Sequence, residues 1–414
     1  MSLHRKTEDS MSFQLRLERI TALLKNTPQS WKAIHVAGTN GKGSICAYVH
    51  AMMRAKNISC GRFTSPHLVD RWDCITINDR PVSETKFHHF EKIVTMRSKK
   101  LCLDASPFEL LTAAAFEIFE NEKVQFGIIE VGLGGSHDAT NALKHKAVTV
   151  ISKIGLDHQD RLGSTLAKIA AHKAGILRRG VPCVVDPSND PTVLSVVLGR
   201  VIELGSTAYL ADPGLLLGVK FPERFEPHQR QNLLCAQQAF NIACPEHAGP
   251  VQEIVNLGAK TVWPGRLQSI SIEKITKRQK DILLDGAHNP QSAEVLSAFV
   301  EKRLRAPLQK VTWVLAATEG KDISEMLKKL LRDGDNVAVV EFGPVDGMPW
   351  VRPTKSATIL QTINKIGIST GSLQNSQDDV MKALTWASEI SREAPLVVAG
   401  SLYLVSNVLK LLRA

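Results

Sequence analysis

The sequence predicts an α/β protein of two domains: a doubly wound, P-loop-type mononucleotide-binding sheet over residues 1–265, then a smaller Rossmann-like α/β domain over 266–414. Three stretches predict it. Apolar Ile34-His35-Val36-Ala37 runs into the glycine-rich turn Gly38-Thr39-Asn40-Gly41-Lys42-Gly43-Ser44 and then into a helical run over 45–53. Phe126-Gly127-Ile128-Ile129-Glu130-Val131 is apolar almost throughout, as a parallel strand buried on both faces must be. Trp263-Pro264-Gly265-Arg266 interrupts the pattern with a rigid-then-flexible pairing suited to a hinge, and strand–helix alternation restarts beyond it. A chain of 414 residues is also long for one core.

Strand, small-residue turn and helix in that order make a phosphate cradle. Backbone N–H groups converge on an anion at a helix N-terminus, and Lys42 adds a full charge to the helix's partial one. The ligand such a cradle calls for is a nucleoside triphosphate. The turn departs from the standard motif twice: Val36 stands where the first Gly would, and Gly43 follows Lys42, so that the hydroxyl falls at Ser44. A Mg²⁺ role for Ser44 is therefore open, and an unliganded glycine turn is the plain alternative.

In chain order, Leu15, Leu17, Ile20, Leu23 and Leu24 recur at helical spacing before the first strand. A second strand over 58–63 delivers Thr64-Ser65-Pro66-His67-Leu68 into a stiff turn that could present Ser65 to a metal or phosphate, or simply lie on the surface. A strand over 73–77 and helices over 84–96 and 110–119 follow. Glu130 is conspicuous at the C-terminal end of an apolar strand, where α/β sheets hold ligands; it is either a metal ligand or the structural partner of a lysine. The loop from Gly132 to Asn141 leads to a strand over 147–154 and then Asp157-His158. Chemistry alone favours a hydrogen-bonding role for His158, since Mg²⁺ prefers oxygen. Ser164 or Thr165 caps a helix that carries Lys168, His172 and Lys173 to a stop at Gly175. Residues 181–185 read as a strand, 193–204 as a helix and 228–243 as another. In the second domain the expected strands are 281–284, 311–316, 337–342 and 396–399, and the helices 292–304, 323–331, 378–390 and 402–412.

Composition narrows the function classes. Hydrophobic residues at 43% and charged residues at 22% describe a soluble globular chain, and no apolar run approaches the ~20 residues of a membrane span. The polar stretch 1–12 has no secretory h-region, and seven cysteines without a CxxC pair point to neither a disulfide framework nor a zinc cluster. A cytoplasmic monomer is expected, with a mitochondrial compartment left open. The net charge of +10 invites nucleic acid, but basic clusters are short and aromatics only 5%; small anionic substrates or a solvated basic surface account for it equally.

Taken together, GTNGKGS at 38–44, TSPHL at 64–68, FELLTAAAF at 108–116, EVGLGG at 130–135, DATN at 138–141, DH at 157–158, HKAGI at 172–176, HQ at 228–229 with Asn232, WPGR at 263–266, DGAHNP at 285–290 and AGSLYL at 399–404 resemble the Mur ligase superfamily. Within it they resemble the folylpolyglutamate synthase and dihydrofolate synthase family, and DGMPW at 346–350 resembles its fungal dihydrofolate synthase branch. The resemblance implies an ATP-binding domain of Mur ligase central type followed by an amino-acid-binding domain, with ATP and Mg²⁺ as cofactors. It places Gly41, Lys42 and Ser44, within the turn from Gly38 through Thr39, Asn40 and Gly43, on the phosphates. Ser65, Glu130 and His158 would hold Mg²⁺, and Lys173, carbamylated, a second one. Asn232 would contact adenine, Arg266 the phosphates, Asp285 the ribose side, and His288 and Ser401 the amino acid. The implied substrates are a dihydropteroate-like acid, L-glutamate and ATP, joined through an acyl phosphate. One departure stands out: the family loop reads GLGGRLDATN, whereas Ser136 and His137 occupy the Arg-Leu positions.

Overall fold

The strand before the glycine turn forms as β1 (Lys32–Ala37), buried at every position but the first because both of its faces are covered. The computed structural model describes residues 17–78, 80–223, 225–261, 263–306 and 309–413. Within them, one unit runs to His67 and from Trp72 to Thr261, and the other takes Leu68–Arg71 and everything from Trp263 on.

The first unit is built outward from β1. Helix α1 (17–23) buries Ile20 and Leu23; Leu15 of the expected stripe lies outside the described residues. After β1 come α2 (Lys42–Ala55), β2 (Cys60–Phe63), β3 (Ile75–Ile77) and β4 (Arg80–Pro81). Helices α3 (Glu84–Lys100) and α4 (Pro107–Asn121) lead to β5 (Phe126–Glu130) and β6 (Lys146–Ile151). Then follow α5 (Gln159–Leu162), α6 (Leu166–Ala174), β7 (Cys183–Val185), α7 (Pro191–Glu203), β8 (Ala208–Leu210), α8 (Pro227–Ala243) and α9 (Val251–Lys260). The sheet order is β4-β3-β2-β5-β1-β6-β7-β8, and β5 and β6 both run parallel to β1. The chain leaves β1 in one direction towards β2 and later passes to β6 on its other side. That reversal sets a ligand crevice at the C-terminal end of β1.

Caps fix the helices. Ser106 and Glu109 form a reciprocal capping box ahead of α4, with Pro107 in its first turn. Thr165, one of the two expected caps, accepts from Lys168 N–H and starts α6. One face of the sheet packs on α2, α8 and α9, where Ile34, Val36, Val49, Met52 and Phe240 meet. The other carries Trp31 edge-on to Phe116 and Phe119, at 5.3 and 5.4 Å between centroids.

Residues 73–77 form a strand only from Ile75, because the pairing partner β2 ends at Phe63, opposite Ile75; Arg71–Cys74 closes as a 3₁₀ turn instead. The elements β8 and α9 have no counterpart in the sequence reading. Three residues suffice for β8 because β7 already supplies the ladder, and α9 carries a glycine, Gly258, on the side that meets Leu233 and Phe225.

The second unit has β9 (Gln268–Ile270), α10 (Glu273–Thr276), β10 (Ile282–Leu284), α11 (Pro290–Arg303), β11 (Thr312–Leu315), α12 (Ile323–Leu330) and β12 (Asn336–Val339). It continues through α13 (Ser356–Lys365), β13 (Leu373–Asn375), α14 (Val380–Ser391), β14 (Leu396–Ala399) and α15 (Leu402–Arg413). Its sheet order is β13-β12-β11-β14-β10-β9, parallel except for β9. Trp313, Leu315 and Val337 bury one face under α11 to α13, while Val314, Ala338 and Val398 bury the other under α14 and α15. Beneath the loops, Asp335 is fully buried and accepts from Arg305 twice (2.7 and 2.9 Å), Trp313 Nε1 (3.0 Å) and Val311 N–H (3.0 Å).

Asp335→Ala leaves a guanidinium and an indole N–H without their acceptor. The expected loss is about 3–5 kcal/mol from the second unit's unfolding transition, read by guanidinium denaturation; a loss near that of an exposed pair, under about 1 kcal/mol, contradicts the hub.

Candidate active site

The turn after β1 is held by backbone amides together with two hydroxyls. Thr39 and Asn40 N–H both donate to Lys153 O (2.9 and 3.0 Å), Ser152 Oγ donates to Asn40 O (2.8 Å), and Thr39 Oγ1 exchanges bonds with Gly155 at 3.1 Å. A Cβ on Gly38 would lie 1.8 Å from Ser152 Oγ, so only glycine lets the turn close on β6. Gly41, at φ 89°, reverses the chain and takes the N-cap position of α2 without a capping side chain. The first intrahelical bond there is Ile45 N–H to Gly41 O. The amides of Lys42, Gly43 and Ser44 therefore precede the ladder, as anion-binding N–H groups at a helix start do. Thr39 and Asn40 spend their amides on the scaffold instead.

Charged groups gather around this turn. Lys42 Nζ reaches Thr39 O (3.2 Å) and lies 3.7 Å from Glu130 Oε1. Glu130, buried at the end of β5 opposite Val36 of β1, accepts from Ser65 N–H at 3.3 Å. On α6, Lys173 is buried and donates to Gly38 O at 2.7 Å. Burial, and then the neighbouring charge of Lys42, pushes its pKa down to about 7, against the pull of Asp157 and Asp138. Asn232, buried on α8, puts Oδ1 2.3 Å from where a Cβ on Gly41 would stand. His158 opens α5 at φ 50° with an exposed ring whose Nε2 is 4.0 Å from Asp157 Oδ2.

Among the described residues no three His, Cys, Asp or Glu side chains converge as a metal site. The donors near the turn are of mixed kind, led by the buried Glu130 carboxylate. That is the hard oxygen chemistry a Mg²⁺ ion takes.

In the second unit, Asp285, His288 and Ser401 follow the C-terminal ends of the neighbouring strands β10 and β14, and Arg266 precedes β9. Asp285 is buried, its pKa raised by that burial against the pull of Arg266, and it accepts from Leu267 N–H (2.7 Å) and Ala287 N–H (2.8 Å). Arg266 donates to Gly265 O at 3.0 Å. The ring of His288 lies 2.8 Å from Gly286 O through Nδ1, just before α11, which Asn289 caps. Ser401 is buried and accepts from Tyr403 N–H at 3.1 Å at the start of α15.

The sequence reading gives no role to Asp138, His35 or Lys146, which the structure joins behind the turn. Asp138 accepts from Leu133 N–H (2.8 Å), Thr140 N–H (3.0 Å) and the Thr140 hydroxyl. Thr140 has one proton and gives it to Asp138, so it accepts from His35 Nε2 at 2.9 Å. Lys146 bonds Asn141 Oδ1 (2.8 Å) and Ile176 O (2.6 Å), and burial brings its pKa down to about 6. An Asp two residues before a Thr is the short-range signal that could have exposed the first of these.

Residues 268–411 match the family model described as dihydrofolate synthetase, C-terminal domain. A dihydrofolate synthetase of Saccharomyces cerevisiae is 36% identical over 97% of this chain and 98% of its own length. Folylpolyglutamate synthase of Mycobacterium tuberculosis, solved with ADP and AMPPCP, superposes with a TM-score of 0.80 at 26% identity, covering 96% of this chain and 95% of that one. A bifunctional folylpolyglutamate synthase/dihydrofolate synthase of Yersinia pestis, solved with AMPPNP and a manganese ion, gives 0.78 at 25% over 96% and 93%.

With a folded pKa near 7 against an ordinary 10.5, Lys173 binds its proton more weakly folded than unfolded. Wild-type stability therefore rises with pH between about 7 and 10.5, and the cost of the buried cation is complete below 7. In CO₂-free buffer, the stability advantage of Lys173→Met over wild type should widen by about 1.4 kcal/mol per pH unit as pH falls through that window. A gap that does not change with pH contradicts the placement.

Proposed function

The chain belongs to the dihydrofolate synthase and folylpolyglutamate synthase family, and from that premise we propose which of its residues carry the reaction. The enzyme is an ATP-dependent ligase that joins L-glutamate to the carboxylate of 7,8-dihydropteroate. The observation that carries the residue assignment is the meeting of Lys42, Glu130 and Lys173 at one turn, each with a stated partner.

A carboxylate is a poor acyl donor because its leaving group would be oxide. Its oxygen therefore attacks the γ-phosphorus of ATP; the bond to the β,γ-bridging oxygen breaks, ADP leaves, and an acyl phosphate remains. Lys42 and the amides of Gly41 to Ser44 hold the phosphates and spread the charge that grows on the transferring group. Ser65, Glu130 and His158 would hold one divalent cation and the carbamate of Lys173 a second; bound there, such cations would supply further charge neutralisation on the phosphate oxygens. Lys173 near its pKa presents a neutral amine, which adds CO₂ through nitrogen and releases a proton; the ammonium becomes an anionic carbamate. Asn232 meets the adenine, with Arg266 and Asp285 also assigned to the nucleotide. His288 and Ser401 receive glutamate, whose neutral amine attacks the acyl carbon and expels inorganic phosphate.

A reducing compartment is supported by seven free cysteines, with Cys102 exposed. Among the described residues no helix is long and apolar enough to cross a membrane.

Steady turnover of ATP to ADP should require dihydropteroate and glutamate together, and Lys42→Ala should lower kcat about 10²–10³-fold. Steady ADP release without either partner overturns the ligase reading.

A further inference from the structure

The outer side of α6 bears a cavity of about 400 Å³ that the ligase chemistry leaves unused; His137, Arg161, Leu162, Lys168, Ala171 and His172 line most of it. Four of these six carry basic nitrogen, and among the described residues no acidic side chain lines the cavity. They come from three elements: the loop after β5, the end of α5, and α6.

The loop is fixed by Ser136, whose N–H and Oγ both donate to His172 O at 2.9 and 3.1 Å. That grip sets the ring of His137 6.4 Å from the ring of His172. Gly163, at φ 93°, turns α5 into α6, and the stem of Lys168 passes 2.8 Å from where its Cβ would be. Arg161 has Asp160 3.7 Å from its Nε, both exposed. Ser136 and His137 are also the positions where the family loop reads Arg-Leu. A short hydroxyl there leaves space that a guanidinium would fill, and His137 brings a ring donor in place of an apolar side chain.

We propose that this cavity binds a small organic oxyanion, a carboxylate or phosphate group on a compact apolar body. Arg161 and Lys168 take the oxygens, His137 donates from its ring, and Leu162 with Ala171 meets the apolar part. Its volume lies within the range of small-molecule sites, and guanidinium with ammonium suits either head group.

The test is calorimetric titration of the full chain at physiological ionic strength, with the turn after β1 saturated by ADP so that phosphate binding there does not contribute. The probes are benzoate, phenyl phosphate and inorganic phosphate, with benzyl alcohol as the uncharged control. Benzoate and phenyl phosphate should each bind at one site, more tightly than inorganic phosphate or benzyl alcohol. The double variant Arg161→Ala/Lys168→Ala should weaken both about tenfold or more while ADP affinity is unchanged. Which of the two binds more tightly identifies the preferred head group. Equal binding by the variant, benzyl alcohol as tight as benzoate, or no heat from either organic anion overturns the proposal.

Discussion

The first unit depends on how the turn after β1 is clamped to the end of β6. Two amides of the turn donate to one carbonyl, Lys153 O, and the Ser152 hydroxyl donates to the turn's Asn40 O. These bonds fix the direction of the amides left over. A phosphate cradle works only if its donors are already aimed when the anion arrives, since ordering them afterwards would consume the binding energy. Gly38 and Gly41 are needed for that reason: one for the close approach to Ser152, the other for a left-handed turn under Asn232.

Around the clamp the structure places charges that would be costly apart. A pair such as Lys42 and Glu130 at 3.7 Å gains about 4 kcal/mol at an effective dielectric of 20, and a lone buried carboxylate would forfeit it. Lys173 is the opposite case, a buried cation whose recorded bond is to a carbonyl and whose neighbour Lys42 shares its sign. Its depressed pKa follows from that placement. The same features favour a chemical change that turns the ammonium into an anion.

Much of this was legible in the sequence, for physical reasons. Strands covered on both faces read as apolar runs, so the central strands were found, and Leu396–Ala399 at its bounds. The turn at 38–44 and the carboxylate at 130 stood out because glycine clusters and lone charges in apolar strands violate local preference only where something requires it. Edge elements such as β8, β9 and β13 were missed, since three-residue ladders carry almost no periodicity. The scaffold bonds from Ser152 and Lys153, and the Asp335 hub, were invisible because they join atoms far apart in sequence, several of them backbone atoms common to every residue.

The account turns on the claim that Gly41 to Ser44 receive the triphosphate, and amide hydrogen exchange with and without MgATP tests it most directly. Nucleotide should slow exchange most in peptides spanning the start of α2, with a smaller effect at Ser65 and at the end of β5. Protection concentrated elsewhere, with the 38–49 segment unchanged, would contradict it.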